Sequence, residues 1–470
     1  MNILTHMASP PNILLLISDS FRYDNLFDRA DMPVRTPYLD RFSQRAVSLT
    51  NLYAGSFPTI PHRTDLTSGR ISWPWHPWQV LQKSTANNMP ALLGQAGYVS
   101  QLICDCPHLF GAGFCSGFSA AHALRGQEGD LHLLRMNHQI AQTMPPDKTR
   151  MDHHFLGHNL PDLHRWQNAG WTTEEDCFAP RTANTVINWL EDNHKYNPFF
   201  AWVDMFDPHE PWDPPEEMVR HYDPDYDGCP MIHPNYGKAS DLTPPELRNL
   251  RAHYCAESEL VDSSIGHILQ KLDDLDLWHN TIVVFTADHG TSLGEHNRTG
   301  KTNVNDNDDR YWPIYPEVAH IPMMIAAPGL PAGTSVDALL NPADILPTLM
   351  DLAGVQCQAP EPLHGQSFAP LLRGEQADLH RQITICACHG FMQDVKLKTC
   401  ATTPVAYTDQ WAYAPIGADG TPELFDLQDD PLAANDIASQ RPEIVLEMHA
   451  NMMRRLAELD VPPEVTTLLT

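Results

Sequence analysis

The stretch 56-SFPTIPHRTDLTSGR-70 combines residue types that could act on a charged ester. Pro61 fits the first turn of a helix, where its missing N–H has no partner to lose. Thr59 is therefore predicted at or near the start of a helix, where backbone N–H groups and the helix dipole favour an alkoxide or a bound anion. Arg63, one turn later, adds a charge-assisted donor. The pattern predicts a nucleophile beside an anion site.

Three apolar runs have the composition of buried parallel strands, and each ends in polar residues that could do chemistry. In open α/β sheets, ligands bind in the crevice beyond the carboxyl ends of the strands. We therefore expect the polar residues to meet at one edge of a sheet. The runs and their polar ends are 12-NILLLIS-18 with Asp19, 198-PFFAWVDMF-206 with 207-DPHEPWD-213, and 281-TIVVFTA-287 with 288-DHG-290.

Helical spacing of apolar residues predicts the elements that connect these strands, and the clearest helix covers 255–278. The stretch 105–175 is rich in His and Gly and is expected to form surface loops, some of them lining the site. These features indicate an α/β catalytic domain over residues 1–375. Strand-like pieces and a last helix at 443–459 predict a smaller domain over 376–470.

The composition limits the classes of partner. The chain has 470 residues, of which 42% are apolar, and a formal net charge of −29. Such an acidic surface argues against nucleic acid and anionic membranes as partners. No run approaches the roughly 20 apolar residues that cross a bilayer, and Met1 to Pro11 lack the features of a signal peptide. We expect a cytoplasmic protein, monomeric or homo-oligomeric, that acts on a small anionic ester.

The opening motif resembles that of a known family. Thr-x-Pro-x-Arg from Thr59, followed by Leu-x-Ser-Gly-Arg from Leu66, resembles the sulfatase signature, in which a cysteine stands at the first position. The resemblance implies an alkaline phosphatase-like α/β fold, with a large mixed β-sheet sandwiched by helices and a smaller carboxyl-terminal α+β domain. It extends over nearly the whole chain, including 19-DSFRYD-24, which looks like the opening of the phosphonate monoester hydrolases, 207-DPHEPWDPP-215, 281-TIVVFTADHGTSLGEHNRTGK-301 and 424-LFDLQDDPLAAND-436.

The resemblance also implies a metal site. Carried over residue by residue, Asp19, Asp288 and His289 hold one divalent cation, and the hydroxyl of Thr59 lies on that cation or beside it. Carboxylate oxygens with one imidazole suit Mn²⁺ or Ca²⁺ best, with Mg²⁺ and Zn²⁺ as alternatives.

Other positions are implied to contact the ester. His209 and Lys301 match residues that bind the ester oxygens or protonate the leaving group in the family. His108 and His296 are further candidates for binding the substrate, although the family's lysine motif near position 108 has no counterpart here. The predicted catalytic residues are Thr59, Arg63, His209 and Lys301.

The residue at position 59 decides the predicted reaction. Sulfatases oxidise the signature cysteine to formylglycine, whose hydrate has one hydroxyl that attacks sulfur and another that later expels sulfate. Thr59 has one hydroxyl, so no formylglycine is expected, whereas water can clear a phosphothreonine by in-line attack. The first hypothesis is therefore a metal-dependent hydrolase of phosphodiesters or phosphonate monoesters with Thr59 as nucleophile. The alternatives are a sulfate ester hydrolase that works without formylglycine and a non-catalytic binding relative.

Some residues imitate functional patterns. Residues 177-CFAPR-181 match the pattern read by formylglycine-generating systems, but no Leu-x-Ser-Gly-Arg tail follows them. Asp204 and Asp207 raise the idea of a second metal, yet their spacing to the next histidine does not fit two-metal phosphodiesterases, so one metal is expected. Asp24 is a candidate to replace the second aspartate of the family's opening, where this chain has Ser20.

Overall fold

The computed structural model describes residues 10–469, apart from residues 28, 31, 150–156, 304–307, 357, 376–380, 392 and 394–400. Its centre is an eight-stranded sheet. The strands, numbered along the chain, are β1 Asn12–Ser18, β2 Val47–Leu49, β3 Val99–Cys104, β4 Ala120–Ala123, β5 Phe199–Met205, β6 Thr281–Ala287, β7 Met323–Ala326 and β8 Thr334–Val336. They are ordered β8-β2-β7-β6-β1-β5-β3-β4, and β7 alone runs antiparallel to both of its neighbours in this sheet.

The strands β6, β1 and β5 are the three apolar runs of the sequence. Every residue in them is buried, as expected for parallel strands covered on both faces. β1 lies between the other two, with Ser18 opposite both Met205 and Ala287. The polar residues that follow these three strands therefore emerge at the same edge of the sheet. The predicted α/β class with a large mixed sheet is confirmed.

Helices flank the sheet on the described part of the chain. The longest, Pro244–Asp274, begins well before the predicted start at 255, and Thr243 and Glu246 form a capping box at its first turn. None of the helices described is long and apolar enough to cross a membrane. Those of seven or more residues are α1 Pro37–Ser43, α2 Thr59–Ser68, α3 Met89–Gln95, α4 Leu160–Gln167, α5 Phe178–Asn193, α6 Glu216–Tyr222, α7 Pro244–Asp274, α8 Ile345–Leu352 and α9 Pro442–Glu458.

The carboxyl-terminal part forms a separate antiparallel sheet against which α9 packs. Its strands, in spatial order, are β9 Thr384–Cys386, β10 Val405–Tyr407, β11 Trp411–Ala414 and β12 Glu423–Asp426. This part supports the loop before α2, because the N–H of Phe57 donates to the carbonyl oxygen of Ala387 at 2.9 Å. The predicted boundary between residues 375 and 376 adjoins 376–380, which lie outside the described residues, and it stays a prediction.

Candidate active site

Two neighbouring strand ends supply a buried cluster of ligand-type side chains. Asp19 follows β1 directly, and Asp288 and His289 follow β6. All three are fully buried, and one candidate ligand atom from each lies within 4.8 Å of the others. Within the described ranges, no other group of three or more His, Cys, Asp or Glu residues has this geometry. The structure therefore brings together the three residues expected to hold a cation.

The ring of His289 is oriented as a metal ligand would be. Its Nδ1 donates to the carbonyl oxygen of Gly290 at 2.9 Å, which leaves Nε2 as an acceptor. Nε2 lies 3.4 Å from Asp288 Oδ2 and 3.9 Å from Asp19 Oδ1, and it has no hydrogen-bond partner among the described residues. Burial lowers the pKa of His289 to about 4, so the ring is neutral at neutral pH. A buried acceptor nitrogen facing two carboxylates fits a divalent cation.

The hydroxyl of Thr59 lies at the edge of this cluster. Helix α2 begins at Thr59, whose Oγ1 donates to Asp19 Oδ2 at 3.3 Å. Asp65, six residues further along α2, holds the loops on either side of the helix. Its carboxylate accepts the backbone N–H of Ser56 at 3.0 Å and that of Ser72 at 2.8 Å. These bonds fix the position of the helix start, and with it the threonine hydroxyl.

Arg63 is a fully buried guanidinium among three carboxylates. Its Nε and Nη2 donate to the two oxygens of Asp204 at 3.1 and 2.8 Å. Its Nη1 donates to Asp288 and lies 3.3 Å from Asp19 Oδ2. Burial alone would raise the pKa of Asp288, but Arg63 and His289 hold it well below its usual range. Burial and the charge of Asp288 raise the pKa of Asp19. Arg63 thus orients the two aspartates that face His289.

Lys301 also reaches the cluster. It follows Arg298–Gly300, a strand of a small three-stranded sheet. Its Nζ donates to Ser20 Oγ at 3.3 Å, and that hydroxyl in turn donates to Asp19 Oδ1 at 2.9 Å. Ser20 occupies the position where the resemblance led us to expect a second aspartate. It connects the lysine with the cluster through a hydroxyl instead of a carboxylate.

His209 and His108 are connected through one aromatic ring. His209 Nδ1 donates to the carbonyl oxygen of Glu210 at 2.7 Å, and burial lowers the pKa of His209 to about 3. Its ring stacks on Phe206 with 4.0 Å between centroids, and the ring of His108 lies edge-on to Phe206 at 5.7 Å. His108 also meets the half-exposed Trp78 at 5.2 Å. This places His108 at a partly open border of the site.

The contacts of His296 point to a different region. Its ring stacks on Tyr315 with 3.7 Å between centroids. Its Nε2 lies 3.2 Å from the carbonyl oxygen of Leu432, in the carboxyl-terminal part, and 3.7 Å from Glu317 Oε2. These contacts join the catalytic part to the carboxyl-terminal part and include none of the cluster residues. A substrate-binding role for His296 stays a prediction.

The site also contains two residues, Asp204 and His62, that the sequence motif does not assign to it. Asp204 is a charged residue inside the apolar run of β5, and a buried charge requires a partner, here Arg63. His62 precedes Arg63 in the motif, is fully buried, and neither ring nitrogen has a hydrogen-bond partner among the described residues. Burial lowers the pKa of His62 to about 3 although Asp288 opposes this shift.

Asp24, Asp207 and residues 177–181, which match functional patterns in the sequence, have structural contacts outside the cluster. Asp24 accepts two hydrogen bonds from Arg22 at 2.7 and 2.5 Å. Asp207 accepts the N–H of Ala179 at 2.9 Å, in the first turn of α5. The pattern 177-CFAPR-181 thus leads into α5 and is remote in sequence from the start of α2. The described residues accordingly form one candidate metal cluster, with no second one around Asp207.

Gly290 permits a close contact behind the cluster. A Cβ at this position would lie 2.1 Å from the carbonyl oxygen of Glu317. We expect Gly290→Ala to lower the free energy of unfolding by about 1–3 kcal/mol and to weaken Mn²⁺ binding, because His289 must shift. Urea denaturation and calorimetric titration measure the two effects. Gly94→Ala, where a Cβ meets nothing within 4 Å, is the control. Equal stability of the two variants would contradict the expectation.

Comparison with known proteins decides the family. The family model described as Sulfatase matches residues 11–355, well over half of the chain. The chain belongs to the sulfatase family. A second model, described as N-sulphoglucosamine sulphohydrolase, C-terminal, matches residues 307–461. The sulfatase likeness therefore continues through the carboxyl-terminal sheet and α9.

Curated relatives cover nearly the whole of this sulfatase-family chain. Arylsulfatase K of Homo sapiens is 26% identical over 477 residues, which cover 94% of this chain and 81% of that protein. Arylsulfatase K of Rattus norvegicus is 27% identical over 484 residues, covering 94% of this chain and 77% of the relative.

Solved structures share the fold. The phosphonate monoester hydrolase of Agrobacterium radiobacter has a TM-score of 0.71 at 22% identity, and the match covers 96% of each chain. A protein solved in complex with its substrate D-glucosamine-2-N,6-O-disulfate has a TM-score of 0.71 at 18% identity, covering 97% of this chain and 99% of that one. At these identities the likeness concerns the fold alone, and it confirms the predicted alkaline phosphatase-like fold.

The predicted cleavage of phosphodiesters or phosphonate monoesters is wrong. The curated relatives of this chain are arylsulfatases, which favours the alternative of sulfate ester hydrolysis. The error has a physical reason. The single hydroxyl of Thr59 limits how a covalent intermediate can be cleared, but it does not select phosphorus over sulfur in the ester that binds. The chain is a hydrolase of ester bonds, from a family that binds a divalent metal ion.

Proposed function

We propose that the protein hydrolyses a small sulfate ester, with Thr59 instead of formylglycine as the nucleophile. The arylsulfatase relatives, which match nearly the whole chain, support a sulfate ester as the substrate. The observation that carries the choice of nucleophile is the 3.3 Å hydrogen bond from Thr59 Oγ1 to Asp19. It joins the hydroxyl to the cluster that contains Asp288 and His289.

In the first step, Thr59 Oγ1 forms a bond to sulfur while the bond between sulfur and the ester oxygen breaks. The hydroxyl proton passes to Asp19, the carboxylate that accepts its hydrogen bond. The leaving oxygen takes a proton from the Lys301 ammonium. His209 is neutral, and its one N–H is already bonded to a carbonyl, so it does not supply this proton.

The second step releases sulfate from the threonine sulfate ester. Water attacks sulfur, its proton passes to the neutral amine of Lys301, and the bond between sulfur and Thr59 Oγ1 breaks. Asp19 returns the first proton to the threonine oxygen. The products are hydrogensulfate and the starting enzyme, so atoms and charges balance. A formylglycine hydrate avoids this attack at sulfur, so we expect the second step to limit the rate here.

The cluster would hold one divalent cation through Asp19, Asp288 and His289, with Thr59 on it or beside it. Two carboxylates and one imidazole suit Mn²⁺ or Ca²⁺. When bound, such a cation screens the charge of the ester and lowers the pKa of a hydroxyl next to it.

A panel of nitrophenyl esters tests the proposed function. The protein, loaded in turn with Mn²⁺, Ca²⁺, Mg²⁺ or Zn²⁺, is assayed on a sulfate, a phosphodiester, a phosphonate monoester and a phosphomonoester. We expect the largest kcat/KM with the sulfate. A metal-loaded protein that hydrolyses none of several aryl sulfates would contradict the proposal, as would a clear preference for a phosphorus ester.

Replacing His289 by alanine is expected to weaken Mn²⁺ binding by about 10²-fold or more, since changes in the second shell of a metal already cost 10–100-fold. The reason is that His289 supplies the nitrogen ligand of the cluster, whereas Asp19 and Asp288 supply oxygens. Calorimetric titration of the metal-free protein measures the change. His253→Ala is the matched control, because His253 is also buried but lies outside the cluster. Unchanged affinity in His289→Ala would rule out the assigned site.

A further inference from the structure

The residue after His209 is a buried acid that the proposed reaction does not use. Glu210 is fully buried in the loop that follows β5. Its Oε1 accepts a hydrogen bond from the hydroxyl of Tyr236 and lies 3.7 Å from Lys301 Nζ. Its Oε2 lies 3.6 Å from His209 Nδ1 and accepts no hydrogen bond from the described residues. The carboxylate thus lies between the two side chains expected on the leaving-group side.

The charge of Glu210 is retained despite its burial. Burial by itself would raise the pKa of this carboxyl group, but His209, Lys301 and His233 lower it to about 2. A buried carboxylate with one oxygen lacking a hydrogen-bond donor is costly unless a cation compensates it. The nearby cation is the ammonium group of Lys301, whose Nζ lies 3.7 Å from Glu210 Oε1 and also donates to Ser20. Glu210 and Ser20 therefore hold the ammonium group of Lys301 between them.

We propose that Glu210 is a positioning residue that acts through Lys301. Its carboxylate attracts the ammonium group to one place beside Ser20, so that an N–H points at the leaving oxygen when the ester is bound. The inference rests on the proposed function, in which Lys301 protonates the leaving group. It differs from a packing role, because an amide of the same shape could still accept the hydrogen bond from Tyr236 but would lack the negative charge that attracts Lys301.

The test compares the metal-loaded enzyme with Glu210→Gln on aryl sulfates whose leaving phenols differ in pKa. We expect kcat/KM to fall on the order of 10²-fold for the most basic leaving group and less than about threefold for the most acidic one, because general acid catalysis matters most where the leaving group is poor. In a Lys301→Ala background the same substitution is expected to change kcat/KM by less than about twofold.

Asp262→Asn is the matched control for replacing a buried carboxylate by an amide. Asp262 accepts the backbone N–H groups of Leu39 at 2.7 Å and Tyr38 at 3.1 Å, at the start of α1. This variant should be less stable than wild type, but any change in its kcat/KM should be the same for all leaving groups. If Glu210→Gln does not fold, Tyr236→Phe removes one hydrogen bond from the same carboxylate and should show a smaller loss with the same dependence.

The outcomes separate the inference from the proposed function. Wild-type turnover of aryl sulfates decides the proposed function, and a wild-type protein that turns over none of them overturns both. With an active wild type, a loss in Glu210→Gln that is equal for all leaving groups overturns the inference. A loss of kcat/KM that is undiminished in the Lys301→Ala background also overturns the inference. A loss that grows with leaving-group basicity and disappears without Lys301 supports it.

Discussion

Thr59→Ala is expected to reduce kcat for nitrophenyl sulfate on the order of 10³-fold or more, because residues that act as one unit with a nucleophile contribute little once it is removed. Metal should still bind, since Asp19, Asp288 and His289 keep their positions. Thr59→Ser keeps the hydroxyl and should retain measurable activity. In wild type, rapid quenching during turnover should leave a sulfate group on the peptide that contains Thr59, detectable by mass spectrometry.

Thr64→Ala is the matched control for this substitution. Thr64 lies on the same helix, is equally buried, and donates its hydroxyl proton to the carbonyl oxygen of Ile60 at 2.8 Å. Its loss should change stability slightly and activity by no more than a few-fold. Full activity in Thr59→Ala would show that water attacks the ester directly and that the threonine hydroxyl only supports the site. Metal titrations of both variants exclude loss of the cation as the cause of inactivity.

The central strands could be predicted from sequence because parallel strands that are covered on both faces must be apolar at nearly every position. The start of α7 lies before the predicted one, because apolar spacing is weak in its first turns, although the capping residues Thr243 and Glu246 mark it. The strands β2 and β8 have three residues each, too few to establish a periodicity. Their pairing depends on contacts between distant parts of the chain.

The residues of the site show the same difference between what local sequence reveals and what depends on distant contacts. Asp19, Asp288 and His289 were predictable because strand ends bring them to one edge of the sheet. The pairing of Arg63 with Asp204 was not, because it joins two elements that are far apart in sequence. The contacts of His296 could not be predicted from the sequence either. This residue has a positive φ of 52°, and its ring stacks on Tyr315 in a region that the linear motif does not reveal.

Arg63→Met is expected to lower the free energy of unfolding of the metal-free protein by about 3–5 kcal/mol, as is typical when one partner of a buried ion pair is removed. The variant leaves Asp19, Asp204 and Asp288 buried without their shared cation. Adding Asp204→Asn should restore part of the loss, because one uncompensated charge disappears. Urea denaturation of wild type and of both variants measures these differences. A double variant no more stable than Arg63→Met would contradict this account.

The pH dependence of that loss gives a sharper test. Because Arg63 depresses the pKa of Asp288, this contribution to stability is complete above the ordinary pKa of an aspartate, about 3.9, and is lost as the pH falls further. The difference in the free energy of unfolding between wild type and Arg63→Met should therefore become smaller at acid pH. Arg381→Met is the control, since Arg381 is also buried and donates to Asp344 at 2.7 Å. It should lose stability without weakening Mn²⁺ binding, whereas Arg63→Met should change both, because Arg63 orients the two aspartates that would hold the ion.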